Sequence, residues 1–271
     1  MTEDVLWDVD ADGIARLTLN RPRAGNALTP AMRERLVARL AEASADQAVR
    51  VVVLSAAGDR HFCTGADLSA VADRPPLPEG APERPAGSVA RAIGTGAQRL
   101  IAAVLDCEKP VVAAVNGTAA GIGCHLAYAC DLVLAAEGTR FVEVFTRRGL
   151  VVDGAGAYLL ARLIGPQRAK ELIFFADDLP VAEAHRMGLV NRVVPTAGLA
   201  DAADDWARRL AAGPTVALGL GKRLVNQSLD SDRATAFAHE ALAAEINMTS
   251  ADGQEGLRSF AERRPPVFRG W

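Results

Sequence analysis

The 271-residue sequence predicts an α/β fold, and three features carry that prediction. Short, wholly apolar runs stand at VVVLS (51–55), VVAAV (111–115) and LVLAA (132–136), as expected of strands covered on both faces. Stretches with apolar residues at helical spacing lie between and around them. Glycine-bearing turns follow the first two runs, so strands and helices alternate along the chain.

Taken in order, VLWDV (5–9) and IARLTL (14–19) read as two strands around the turn Asp10–Gly13. Thr29 followed by Pro30 is an N-cap and first-turn proline. Met32, Leu36, Val37 and Leu40 then mark a helix over 30–44. Residues 73–87, rich in proline and glycine, read as a loop, either a surface insertion or one that flanks a pocket. A long helix is expected over 88–106 and another from about 123. A further helix over 154–163 has Asp153 in the turn ahead of it, a position that suits either an N-cap or a side chain free for chemistry. Past residue 166, Pro180 opens a helix stopped by Gly188, LVNRVV (189–194) reads as a strand, and helices are expected over 199–211, 214–229 and 231–249. The chain therefore divides into a core, 1–195, and a helical assembly region, 196–271.

Half of the residues are hydrophobic and the net charge is −3. No basic run tracks a phosphate backbone, so nucleic acid is not an expected partner. The four cysteines form no Cys-x-x-Cys pair and stand apart from the histidines, so buried reduced thiols are expected and no metal site. The first residues hold no apolar core of a signal peptide, and no apolar run has the ~18 residues of a membrane span, so a cytoplasmic location is expected. GIGCHL lacks the third glycine of a dinucleotide fingerprint, GLGKR (219–223) lacks the first glycine of a P-loop, and no Gly-x-Ser-x-Gly elbow occurs.

Two turns remain: FCTGADL (62–68), after VVVLS, and NGTAAGIG (116–123), after VVAAV. On parallel neighbouring strands both emerge at one sheet edge. Their free N–H groups then either converge on one oxygen as an oxyanion hole or belong to two ordinary tight turns.

At these residues the chain resembles the crotonase, or enoyl-CoA hydratase/isomerase, superfamily. NRPRAGNAL (20–28), FCTGADL, AAVNGTAAGIGCHLAYACDL (113–132), GLVVDGAG (149–156), GPQRAKEL (165–172), AHRMGLVNRVV (184–194) and RPPVFRG (264–270) fall in that family's order and spacing across nearly the whole chain. The resemblance implies a crotonase-type spiral of repeated ββα units, with C-terminal helices that build a homo-trimer or a hexamer of paired trimers. It implies an acyl-CoA thioester as ligand, coenzyme A being part of the substrate, and no further cofactor or metal.

The resemblance places oxyanion donors at the N–H of Ala66 and of Ile122, where the family usually has glycine. Isoleucine keeps the donor and adds bulk. The two glutamates with which family hydratases hold water fall at His125 and Phe145, so hydration by two carboxylates is not expected. Glu143 has no assigned place in the pocket. Asp153 matches an aspartate that some family isomerases use to move a proton. Isomerisation, or related proton transfer, with Asp153 as acid/base is therefore the expected chemistry. His125 is a pocket-lining, structural or second acid/base residue, and Asp131 is structural. Arg23, Ala24, the backbone of Ala66, Asp67 and Leu68, and Lys222 are expected on the coenzyme, with Phe260 and Arg263 reaching a neighbour's ligand. The alternatives are an acyl-CoA binding protein without chemistry, and a hydratase that uses His125 and Asp153.

Overall fold

The computed structural model describes residues 3–69, 79–80, 82 and 85–271; the 73–87 loop reading falls largely outside the described residues. Strands β1 (Val5–Val9), β2 (Ile14–Leu19), β3 (Val51–Ala56), β5 (Val111–Val115), β7 (Leu132–Ala136) and β10 (Arg192–Val194) form a six-stranded sheet in that order. β1 pairs antiparallel with β2, and every later pair is parallel. A second sheet holds four short strands, β4 (His61–Cys63), β6 (Thr118–Ala120), β8 (Arg140–Val142) and β9 (Leu179–Pro180). Three times the chain passes from a long strand of the first sheet to a short strand of the second and then into a helix, which gives the repeated ββα unit. The short strands escape periodicity because two or three residues cannot display a period.

The long strands are apolar on both faces because both faces are covered. Val52, Leu54, Val111, Ala113, Val115 and Val133 face the main core, with α1 (Pro30–Ala45), α3 (Arg99–Leu105), α4 (Ile122–Tyr128) and the second sheet. The alternate residues Val51, Val53, Val112, Ala114 and Leu134 pack beneath α8 (Leu199–Ala211) through Leu199, Ala203, Ala207 and Ala211. The Thr29 hydroxyl accepts from Met32 N at the start of α1.

The helix expected over 88–106 is α2 (Ser88–Ala92), a wide π turn (Ile93–Gln98) and α3 in sequence. The remaining helices are α5 (Gly156–Ile164), α6 (Pro166–Phe175), α7 (Val181–Met187), α9 (Thr215–Ser228), α10 (Arg233–Met248) and α11 (Ala251–Ala261). Sequence periodicity missed α6 and α11. The strand expected over 189–194 begins only at Arg192, because Leu189 N still donates to Ala184 O in the turn closing α7.

Candidate active site

The site is built where the β4 and β6 turns meet. β4 and β6 are parallel neighbours, so residues 64–66 and 121–123 leave the second sheet side by side. Two glycines permit the approach. A Cβ on Gly65 would sit 3.2 Å from Ala120 O, and one on Gly123 would sit 2.2 Å from Cys63 O. Gly121, at φ 53, turns the chain into α4 and donates its own N–H to Val142 O. The first turn is strapped from outside: Leu28 N donates to Gly65 O, Asp67 N to Leu28 O and Thr64 N to Gly25 O. Asn26, at φ 54, fixes that strap by donating to Ala57 O and His61 O. Among the described residues, neither Ala66 N nor Ile122 N donates to a protein acceptor.

These turns border a cavity of about 650 Å³ whose wall includes Ala66, Leu68, Ile122, Val144, Phe145, Leu150 and residues of α2 and the π turn. Among the described residues, Asp153 is the one carboxylate on that wall. Its side chain makes no hydrogen bond among the described residues. It does not cap α5, whose N-cap is Ala155 at φ 67. Burial pushes the Asp153 carboxyl above its ordinary value, against the opposing fields of His125 and Arg33. A partly desolvated carboxylate, free of partners and beside unpaired N–H groups, can accept and return a proton.

The structure corrects the pocket-lining and acid/base readings of His125 and agrees with the structural one. It is fully buried and does not border the cavity. The Phe145 ring stacks on it at 5.6 Å, 3° from parallel. Its Nε2 lies 2.9 Å from Oε2 of Glu143, itself only 3% exposed. The extended segment ends at Val142, and Phe145 is already in the helical region, so Glu143 points inward while Phe145 takes the wall. Among the described residues, His125 Nδ1 and Glu143 Oε1 have no partner. A Cβ on Gly156 would fall 2.3 Å from His125 Nε2, so the buried ring also depends on this glycine.

Lys222 is corrected as well. Its ammonium is 6% exposed and sits 2.9 Å from Asp131 Oδ2, 2.9 Å from Val104 O and 3.3 Å from Lys109 O. All three donors are satisfied inside the protein, against a separate cavity between α9 and residues 105–109. Asp131 is structural, as expected: it also accepts from Val111 N. For Asp67, the backbone N–H is taken by Leu28 O, and the carboxylate is held down to about 2 by hydrogen bonds from Ser69 and Arg21. Leu68 lines the cavity. Arg23 and Ala24 are exposed on the turn Pro22–Ala24 and do not line it. Phe260, 86% exposed at the end of α11, and the exposed Arg263 also stand off the cavity of their own chain.

Sequence reasoning missed Arg33, which lies on the cavity wall with Arg91 and Arg148. The available signal was its place one turn ahead of Val37, at the margin of the apolar stripe of α1.

The family model described as enoyl-CoA hydratase/isomerase matches residues 10–270. A Rhodobacter capsulatus protein named a probable enoyl-CoA hydratase is 38% identical over 264 residues, covering 96% of each chain. The 1,2-epoxyphenylacetyl-CoA isomerase of Escherichia coli is 36% identical over 270 residues, covering 100% of each. The crystal structure of an enoyl-CoA hydratase from Bacillus anthracis superposes with a TM-score of 0.89 at 32% identity, covering 99% of this chain and 100% of that one.

Proposed function

The chain belongs to the enoyl-CoA hydratase/isomerase family, and from that premise we propose that it moves the double bond of an enoyl-CoA thioester by proton transfer through Asp153. The observation that carries this reading is that Asp153 is the one carboxylate on the cavity wall among the described residues. In the proposed step the Asp153 carboxylate takes a proton from C2 of a 3-enoyl thioester. The C2–H pair moves into the C1–C2 bond and negative charge gathers on the thioester oxygen. The N–H groups of Ala66 and Ile122 stabilise that charge more than the neutral ground state. Return of the proton at C4 leaves the double bond between C2 and C3. No water enters and no mass changes.

Hydration needs a second group to hold and activate water. The Phe145 ring stands at one glutamate position, and the buried His125–Glu143 pair stands behind it. The Escherichia coli relative is named an isomerase of a CoA thioester, 1,2-epoxyphenylacetyl-CoA. The exposed arginines Arg23, Arg91 and Arg148 suit the coenzyme phosphates. Exposed Phe237, Leu242, Leu257 and Phe260 on α10 and α11 support assembly of trimers or hexamers through the C-terminal helices, with Phe260 and Arg263 reaching a neighbouring ligand. Four buried cysteines, none in a disulfide, fit a reducing cytoplasm. Among the described residues, no helix is long and apolar enough to cross a membrane.

The test is incubation with 3-enoyl- and 2-enoyl-CoA thioesters in heavy water, read by mass and by double-bond position. Shifted double bonds without added water, and a fall of about 10²–10⁴-fold in Asp153→Asn, are expected. Addition of water would replace isomerisation with hydration. Tight binding without turnover would mark an acyl-CoA binding protein.

A further inference from the structure

Among the described residues, no carboxylate pairs with one cation on the cavity wall, Arg33. Arg33 projects from α1 into the wall shared with Ile93 and Ala97 of the π turn. Its Nε is buried without a partner, and among the described residues no carboxylate oxygen lies within 4.0 Å of its guanidinium. Other arginines nearby are paired: Arg39 and Arg35 of α1 with Glu42 and Glu3, and Arg99 of α3 with Glu34. Gly96 of the π turn packs beside it, 3.4 Å separating the position of a Cβ there from Arg33 Cζ. A π turn is an unusual element that recurs at functional sites, and here it opens the helix beside the guanidinium.

Asp153 lies in the same cavity, near enough to feel the charge of Arg33 yet without a bond to it. A guanidinium held among apolar residues is costly while unpaired and strongly drawn to an anion that reaches it. The two other arginines of the wall, Arg91 and Arg148, are exposed, and Arg91 donates to Ala86 O.

We infer that Arg33 receives a carboxylate on the far end of the acyl chain, so that the preferred substrates are CoA thioesters of dicarboxylic acids. The inference rests on the proposed reading of the cavity as an acyl-thioester site. Arg33 is then a specificity-determining residue: the thioester end is held by the Ala66 and Ile122 N–H groups, and the acid end by the guanidinium fork.

The test is calorimetric titration of the full chain with two unreactive saturated thioesters of equal length, adipoyl-CoA and hexanoyl-CoA. A charge-assisted hydrogen bond in a desolvated site predicts about 10- to 100-fold tighter binding of adipoyl-CoA. In Arg33→Met the ratio of the two dissociation constants should collapse toward one, and Arg33→Lys should fall between. Equal wild-type affinities would overturn the inference, and so would an Arg33→Met protein that weakens both ligands in parallel. Should that variant not fold, the wild-type ratio still decides the preference, and Arg33→Lys tests the residue. Because both ligands are inert, a lost adipoyl preference refutes carboxylate recognition and leaves isomerisation standing. Absence of turnover on enoyl thioesters refutes isomerisation alone.

Discussion

Gly123→Ala tests the oxyanion geometry directly. The added methyl would lie 2.2 Å from Cys63 O, 2.8 Å from Cys63 Cβ and 2.9 Å from Cys63 C. A carbon normally comes no closer than about 3.3 Å to a carbonyl oxygen. The two backbones must therefore part by about 1 Å, and no side chain can swing away to spare them. Cys63 leads into the turn that carries Ala66, and Gly123 follows Ile122, so the displacement falls between the two donors. A 1 Å error in positioning reduces turnover by about 10²-fold, and loss of one oxyanion donor by about 10²–10³-fold. Stability changes less. Overpacking costs about 1–3 kcal/mol, and alanine in place of glycine within a helix returns about 1 kcal/mol. Turnover of an enoyl-CoA, read by mass, should thus fall about 100-fold while the urea midpoint moves modestly. A folded Gly123→Ala protein within threefold of wild-type turnover would refute the two-turn oxyanion hole.

Other perturbations separate the remaining roles. Asp153 must be ionised to take a proton, and burial raises its pKa, so the acid limb of kcat/KM should lie above the ordinary carboxylate value of about 3.9. The same shift makes its charged form unfavourable in the native state: between the unfolded and folded pKa values the native state holds more protons, and stability falls as pH rises. Asp153→Asn should therefore raise the melting temperature at neutral pH, with the gain vanishing as pH drops below the raised pKa. Lys222→Met leaves the partly buried Asp131 and two carbonyls without their cation and should cost about 3 kcal/mol in urea unfolding, with part recovered in Lys222→Met/Asp131→Asn; a change in coenzyme affinity without loss of stability would restore a ligand role. Glu143→Ala should cost about 1–3 kcal/mol by leaving the His125 ring unpartnered and should spare turnover of the folded enzyme; loss of turnover with stability intact would make the pair part of the chemistry.

Much of this architecture could be read from composition and pattern. The buried strands β3, β5 and β7 announced themselves because both faces are covered, which demands unbroken apolar runs. Thr29–Pro30 marked the start of α1 by capping chemistry that is local. The second sheet was not legible, since its strands are too short to carry a pattern. Asp153 stood out through the resemblance of its turn; that its carboxylate faces the cavity and not the first turn of α5 depends on Ala155, one residue that takes the left-handed conformation and becomes the cap.

The sequence alone determined the fold class, the two glycine turns and the family, because strand burial, turn conformation and helix starts are written in neighbouring residues. Tertiary structure decided which side chains are available for chemistry. His125 looks available on its helix until Glu143, just past the end of β8, meets it at 2.9 Å. Lys222 looks like a phosphate ligand until Asp131 and two carbonyls close around it. Arg33 looks like one more surface arginine until it faces the cavity beside the π turn, with no carboxylate oxygen among the described residues within 4.0 Å of it. Charge and hydrogen-bonding capacity are properties of a residue, but whether they are satisfied depends on partners distant in the chain.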